Sequence, residues 1–148
     1  LIATSSDGNW GLVNSEDQSG WTAMRFLRLM PDQPTADLPN GLSCSGNEPF
    51  WNLNFHTSDQ VIGNWSYMGM SDLPTIYGDA WSARPVNNAS DTIGFELTGQ
   101  PITASGIIQT QMCEDGMSLR AYGYSINTIL NAGAVRILVT GCCSLGRD

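Results

Sequence analysis

Four cysteines, a single histidine and one Glu-Pro step are the residues of this chain whose types and spacing bear on chemistry. Cys44, Cys113, Cys142 and Cys143 form an even set in a small, loop-rich, acidic chain, which predicts two disulfides and an oxidising compartment. Cys142 and Cys143 are adjacent, and neighbours in a strand face opposite sides, so each is expected to find a different partner. Pairing Cys113 with Cys142 and Cys44 with Cys143 closes loops of about 30 and 100 residues, worth roughly 3–5 kcal/mol each in the chain-entropy model. Exchanging Cys142 with Cys143 is the open alternative, because connectivity is not readable from spacing.

Disulfide-bonded cysteines cannot act as nucleophiles, and no Gly-x-Ser-x-Gly elbow supplies a serine. His56 is then the lone proton shuttle near neutral pH, on the face of its strand opposite Trp51, where a surface role is expected. Zinc is not expected, since there is no Cys-x-x-Cys and only one histidine. Cys113-Glu114-Asp115-Gly116 reads as a turn, and the alternate oxygen ligands and closing Glu of a calcium loop do not follow it. No metal and no cofactor are therefore expected. Glu48-Pro49-Phe50-Trp51 reads as a strand entrance, with Pro49 fixing φ, Glu48 extended and the two rings on opposite faces. In the structural reading Glu48 accepts backbone N–H bonds or pairs with an Arg while Trp51 fills the core. In the functional reading Glu48 and Trp51, with Trp65, Tyr67 and Trp81, line a binding pocket at a barrel mouth.

The elements that position these residues read as β throughout. Runs spanning 9–14, 20–27, 50–57, 61–68, 93–98, 102–112, 122–130 and 135–142 are broken by Gly, Asn, Asp and Pro. Alternation is clearest over 50–57, where Trp51, Leu53 and Phe55 share one face and Phe50, Asn52, Asn54 and His56 the other. Residues 72–89, with Pro74, Gly78, Pro85 and Asn87-Asn88, read as a long loop containing at most a short turn of structure. The prediction is an all-β fold: a small antiparallel barrel or strongly twisted sheet of about six to eight strands from Leu42 onward. Pro31, Pro34 and Pro39 mark a linker over 31–41, which separates an N-terminal strand pair in 1–30 from a disulfide-bonded β domain over 42–148.

With six Arg, no Lys, fourteen Asp plus Glu and a formal charge of −8, the chain lacks the basic surface that nucleic acid requires. No apolar run approaches the ~20 residues that span a bilayer, so no transmembrane segment is expected. A start at Leu1 rather than Met fits a processed or truncated product. The expected location is periplasmic or extracellular, with a membrane anchor in the full-length form if the removed part carried a lipid site.

Two resemblances add to this reading. Trp10-x-x-Val13 followed by Gly20-Trp21 and the exit Arg25-Phe26-Leu27 is similar to the last third of bacterial SH3-like domains, which implies an adaptor or a binder of cell-wall peptides. Gly46-x-Glu48-Pro49-Phe50-Trp51 and Cys113-x-Asp115-Gly116-Met117-Ser118, followed by Tyr122 and a terminal Gly-Cys, together resemble a family of bacterial envelope proteins often described as membrane proteins or lipoproteins. Leu119 stands where that family usually has a second Asp, so no role of that carboxylate carries over. The resemblance implies a non-enzymatic envelope protein that binds a peptide, a glycan or another protein; the alternative is a hydrolase or small-ligand pocket protein using Glu48 and His56.

Overall fold

The computed structural model describes residues 1–28, 38–57, 61–67, 78–86, 91–99 and 102–146. Most of the predicted linker, including Pro31 and Pro34, lies outside them, as do 72–77 and 87–89 of the predicted long loop. Among the described residues eleven strands are present: β1 (Ala3–Thr4), β2 (Trp10–Ser15), β3 (Gln18–Ala23), β4 (Leu42–Asn47), β5 (Phe50–Thr57), β6 (Val61–Tyr67), β7 (Gly78–Ala83), β8 (Thr92–Thr98), β9 (Ile102–Glu114), β10 (Ala121–Ala132) and β11 (Val135–Leu145).

Strands β4 to β11 follow one another antiparallel, and β11 pairs back onto β4, closing an eight-stranded up-and-down barrel. This is the barrel expected from the sequence, with two strands that local propensity hides. In β4, Leu-Ser-Cys-Ser-Gly-Asn has no β-branched residue, yet Leu42, Cys44 and Gly46 alternate onto the buried face. In β7, Gly-Asp-Ala-Trp-Ser-Ala sits inside the stretch read as a loop and pairs with β8 over Asp79–Ala83. β-Propensity largely reflects fit to a pleated surface, so a weak former becomes a strand once neighbours are in register.

Closure lets period-2 alternation divide the chain into inside and outside. Inside stand Leu42, Cys44, Trp51, Leu53, Phe55, Ile93, Phe95, Leu97, Ala104, Ile108, Ile126, Leu130, Val139 and Cys143 in one apolar cluster, with Leu38 against it. Phe55 and Phe95 meet edge to face at 5.2 Å between ring centroids, a favoured aromatic geometry. Thr128 is the buried polar residue of the barrel, and its hydroxyl donates to the Ser105 carbonyl. Outside, Ser45, Asn52, Glu96, Ser105, Asn127 and Arg136 are exposed at alternate positions. The outer face also carries exposed apolar side chains, among them Trp81, Ile107, Ile129 and Leu138.

The N-terminal region forms a three-stranded sheet in the order β1-β2-β3, one strand more than the predicted pair. β3 ends at Ala23, and Met24–Phe26 make a 3-10 turn where the strand was expected to continue to Leu27. The sheet meets the barrel at the β9–β10 connection. Ser19 donates its amide to the Leu119 carbonyl, Asn14 Nδ2 donates to the Ala121 carbonyl at 3.0 Å, and the Ala121 amide donates to Ser19 Oγ at 2.6 Å. A link crossed by few contacts was the expectation, and these bonds show that the two sheets do touch.

Candidate functional site

The first signature builds a hairpin and a plug. Asn47 pairs with Phe50, so Glu48 and Pro49 are the two turn residues between β4 and β5, joined by a cis peptide, and not an extended strand entrance. Glu48 is exposed there, and neither the backbone acceptor role nor an Arg pair assigned to it is made among the described residues. Trp51, one residue inside β5, is only 3% exposed. Its indole lies across Gly46 of β4 and Gly141 of β11, where a Cβ would sit 2.2 Å and 2.8 Å from ring atoms. Its Nε1–H donates to the Thr140 carbonyl at 3.2 Å. The β4–β11 ladder stops at the Ser45–Cys142 pair, one step before these glycines, so the indole fills the space where the closing strands part. Trp51 is therefore a structural residue.

Glu48, His56 and Trp81 do not converge with it. His56 is exposed on the outer face of β5, six residues beyond Phe50 and so about 20 Å along the strand from the Glu48 turn. Glu48 and His56 thus share no concave site, and no proton can pass between them. Trp81 is 63% exposed on β7, directly opposite Glu96 of β8. The backbones of Trp65 and Tyr67 pair with Leu53 and Trp51, and their side chains lie outside the described residues. The described interior side chains form one apolar cluster. Among the described residues there is no group of three or more His, Cys, Asp or Glu suited to a metal.

The second signature builds a clamp. Between Tyr122 and Tyr124 the β9–β10 ladder is bulged, so Gln111 and Met112 face the single residue Gly123. A bulge bends the strand that carries it. Beyond it the hairpin tip leans across β11 to β4: Cys113 is bonded to Cys142, and Asn47 Nδ2 donates to the Asp115 carbonyl at 2.7 Å. Asp115 closes the tip by accepting from the amides of Met117 and Ser118, the Ser118 hydroxyl and the Tyr122 hydroxyl. Partial burial raises the pKa of its carboxyl, and the bonds from Ser118, Met117 and Tyr122 outweigh that, leaving it at about 2. Burial and the Asp115 carboxylate in turn push the Tyr122 hydroxyl up. The Arg120 guanidinium stands 5.8 Å over the Tyr122 ring. The other disulfide, Cys44–Cys143, joins the directly opposed residues of β4 and β11 inside the core.

The N-terminal sheet presents the aromatic surface. Trp10 pairs with Ala23 and Trp21 with Leu12, which places the two residues as diagonal neighbours on one face, their backbone positions roughly 7–8 Å apart. They are 48% and 53% exposed, whereas Leu12 on the same face is buried. On the opposite face Leu1, Met24 and Leu27 fill the space beside Gly11, whereas Gly20 has no neighbour there among the described residues; Asn14 and Ser19, which bond Ala121, stand on the indole face. Asp7 orders the turn leading into Trp10, accepting from Ser5 Oγ and from the Asn9 amide and side chain, and the Ser5 and Asn9 bonds hold its carboxyl at about 2. Ser5 Oγ accepts the Trp10 amide, so the turn sets the backbone of the first indole. At this half-exposure the two tryptophans cover apolar surface only in part. Phe26, under the Arg25 guanidinium at 4.8 Å, adds a third exposed ring to this module.

Compared with protein-family models, with curated proteins and with solved structures, the chain shows no match.

Proposed function

We propose that this chain is a non-enzymatic binding protein of the cell envelope, in which the disulfide-bonded barrel is a scaffold and the Trp10–Trp21 face of the N-terminal sheet engages a glycan or peptide ligand. The observation that carries the reading is the pair of half-exposed tryptophans placed as diagonal neighbours on one face of the N-terminal sheet. Rigid aromatic platforms bind sugars and peptide side chains at small entropic cost, since an indole has few rotatable bonds. Two disulfides are compatible with a secreted or extracellular setting. The periplasmic assignment and the envelope partner rest on the resemblances of the Trp10 to Leu27 segment and of the two signatures. Cosedimentation with purified, insoluble peptidoglycan tests the reading. The wild-type protein is expected in the pellet, and the Trp10→Ala/Trp21→Ala variant in the supernatant with an unchanged melting temperature for the barrel. Wild-type protein that stays in the supernatant, or a double variant that still pellets, overturns it.

A further inference from the structure

We propose that the Cys113–Cys142 disulfide is a reducible latch that clamps the β9–β10 tip, together with the N-terminal sheet, onto the barrel. The two disulfides differ in place and exposure. Cys44 and Cys143 are 0% exposed in the barrel core. Cys113 is partly exposed at the base of the tip, whereas its partner Cys142, on the side of β11 opposite Cys143, is 3% exposed and covered. Thiol–disulfide exchange requires a thiolate to reach a sulfur atom, so access favours attack at Cys113.

What the latch holds follows from the contacts. The described hydrogen bonds between the N-terminal sheet and the rest of the chain end on Leu119 and Ala121, and Leu1 and Ile2 pass beside Gly123. All of these lie at or beyond the bulge. The tip reaches the barrel wall through the Cys113–Cys142 bond and the Asn47–Asp115 hydrogen bond, which span β11 and reach β4. The N-terminal sheet is thus fastened to the tip, and the tip is fastened to the barrel by one covalent bond. The reductant is a dithiol, either a small molecule or a dithiol reductase. One of its thiolates attacks Cys113 Sγ, the Cys113–Cys142 S–S bond breaks and Cys142 leaves as a thiolate. The second thiol then displaces Cys113, the dithiol becomes a disulfide, and its two protons pass to Cys113 and Cys142. The tip and N-terminal sheet are then free to move as one arm about the bulge, while Cys44–Cys143 keeps β4 on β11.

The inference is independent of what the aromatic face binds. Graded treatment with dithiothreitol, trapping with iodoacetamide and peptide mapping are expected to show Cys113 and Cys142 alkylated at a lower dithiol concentration than Cys44 and Cys143. In the partly reduced protein, amide nitrogen transverse relaxation over 10–23 and 114–121 is expected to slow together by roughly a third relative to 124–143, as for an arm tumbling apart from a rigid body. The Ser19 and Ala121 amides are expected to stay protected from exchange, which marks a moving arm and not a melted sheet. The Cys113→Ser/Cys142→Ser variant is expected to reproduce this behaviour without reductant. Simultaneous reduction of both disulfides, or relaxation in the arm that stays equal to that of the barrel, overturns the proposal. A double variant that does not fold also overturns it, because the barrel is required to stand on Cys44–Cys143 alone.

Discussion

Trp51 combines burial, a hydrogen bond and close contact with two glycines, and each contribution is separable by substitution. Trp51→Ala removes a 3%-exposed ring and is expected to cost about 3–5 kcal/mol, measured by chemical denaturation. Trp51→Phe keeps an aromatic ring but leaves the Thr140 carbonyl without its indole donor, and an intermediate loss of about 1–3 kcal/mol is expected. Glu48→Gln, in the exposed turn, is expected to change stability by less than about 0.5 kcal/mol. Asp115 carries a pH dependence. Its folded pKa of about 2 lies below its ordinary 3.8, so its contribution to the tip is present above about pH 4 and is lost as pH falls through 2. The Met117 and Ser118 amide shifts are expected to titrate with a midpoint near 2; a midpoint near 3.8 would show that the bonds to Asp115 do not persist in solution. Trp51 was legible as core from alternation alone, because Leu53 and Phe55 repeat on its face. The exposed turn position of Glu48 was not, since it depends on Asn47 pairing with Phe50, a cross-strand fact that local spacing does not carry.

At the scale of elements, the N-terminal sheet is attached to the tip by hydrogen bonds and to the barrel by sequence. Deleting 1–28 is expected to leave the barrel cooperatively folded, with faster amide exchange confined to 117–123, where Ser19 and Asn14 cover the chain. A fall in melting temperature of more than about 10 °C would instead make the N-terminal sheet part of the barrel's own folding unit. In the β2–β3 turn, Glu16 has φ of 54°, a left-handed conformation that costs a non-glycine residue about 1–2 kcal/mol. Glu16→Gly relieves that strain against a smaller entropic loss and is expected to stabilise the hairpin by up to about 1 kcal/mol, seen as slower exchange of the β2 amides. Strands with strong alternation, such as β5 and β8, were legible in advance, whereas β4 was not among the predicted strands and β7 fell within the predicted long loop. Their Ser, Gly, Asn and Ala residues become strands through partners distant in sequence, as Cys44 does opposite Cys143.

Over the whole molecule, closure depends on the short ladder of four residue pairs between β11 and β4, and the Cys44–Cys143 bond lies within it. The loop it closes, 99 residues in sequence separation, makes it the more stabilising of the two disulfides in the chain-entropy model, at about 4–5 kcal/mol. Cys44→Ser/Cys143→Ser is accordingly expected to lower the denaturation midpoint more than Cys113→Ser/Cys142→Ser. The adjacency of Cys142 and Cys143 made divergent partners legible, and the structure selects Cys113 for the outward residue and Cys44 for the inward one. A closed all-β barrel was likewise legible from strand number and spacing. The half-exposed Trp10–Trp21 face was less so, because a tryptophan in a strand reads the same whether it is covered or half-exposed. The most direct test of the account follows the indole N–H resonances of the isotope-labelled protein during titration with soluble peptidoglycan fragments. The account predicts that the Trp10 and Trp21 signals move while Trp51, bonded to Thr140, and Trp81, remote on β7, stay in place. Movement of Trp81 with Trp10 and Trp21 unmoved, or no movement of any indole at saturating ligand, would contradict it.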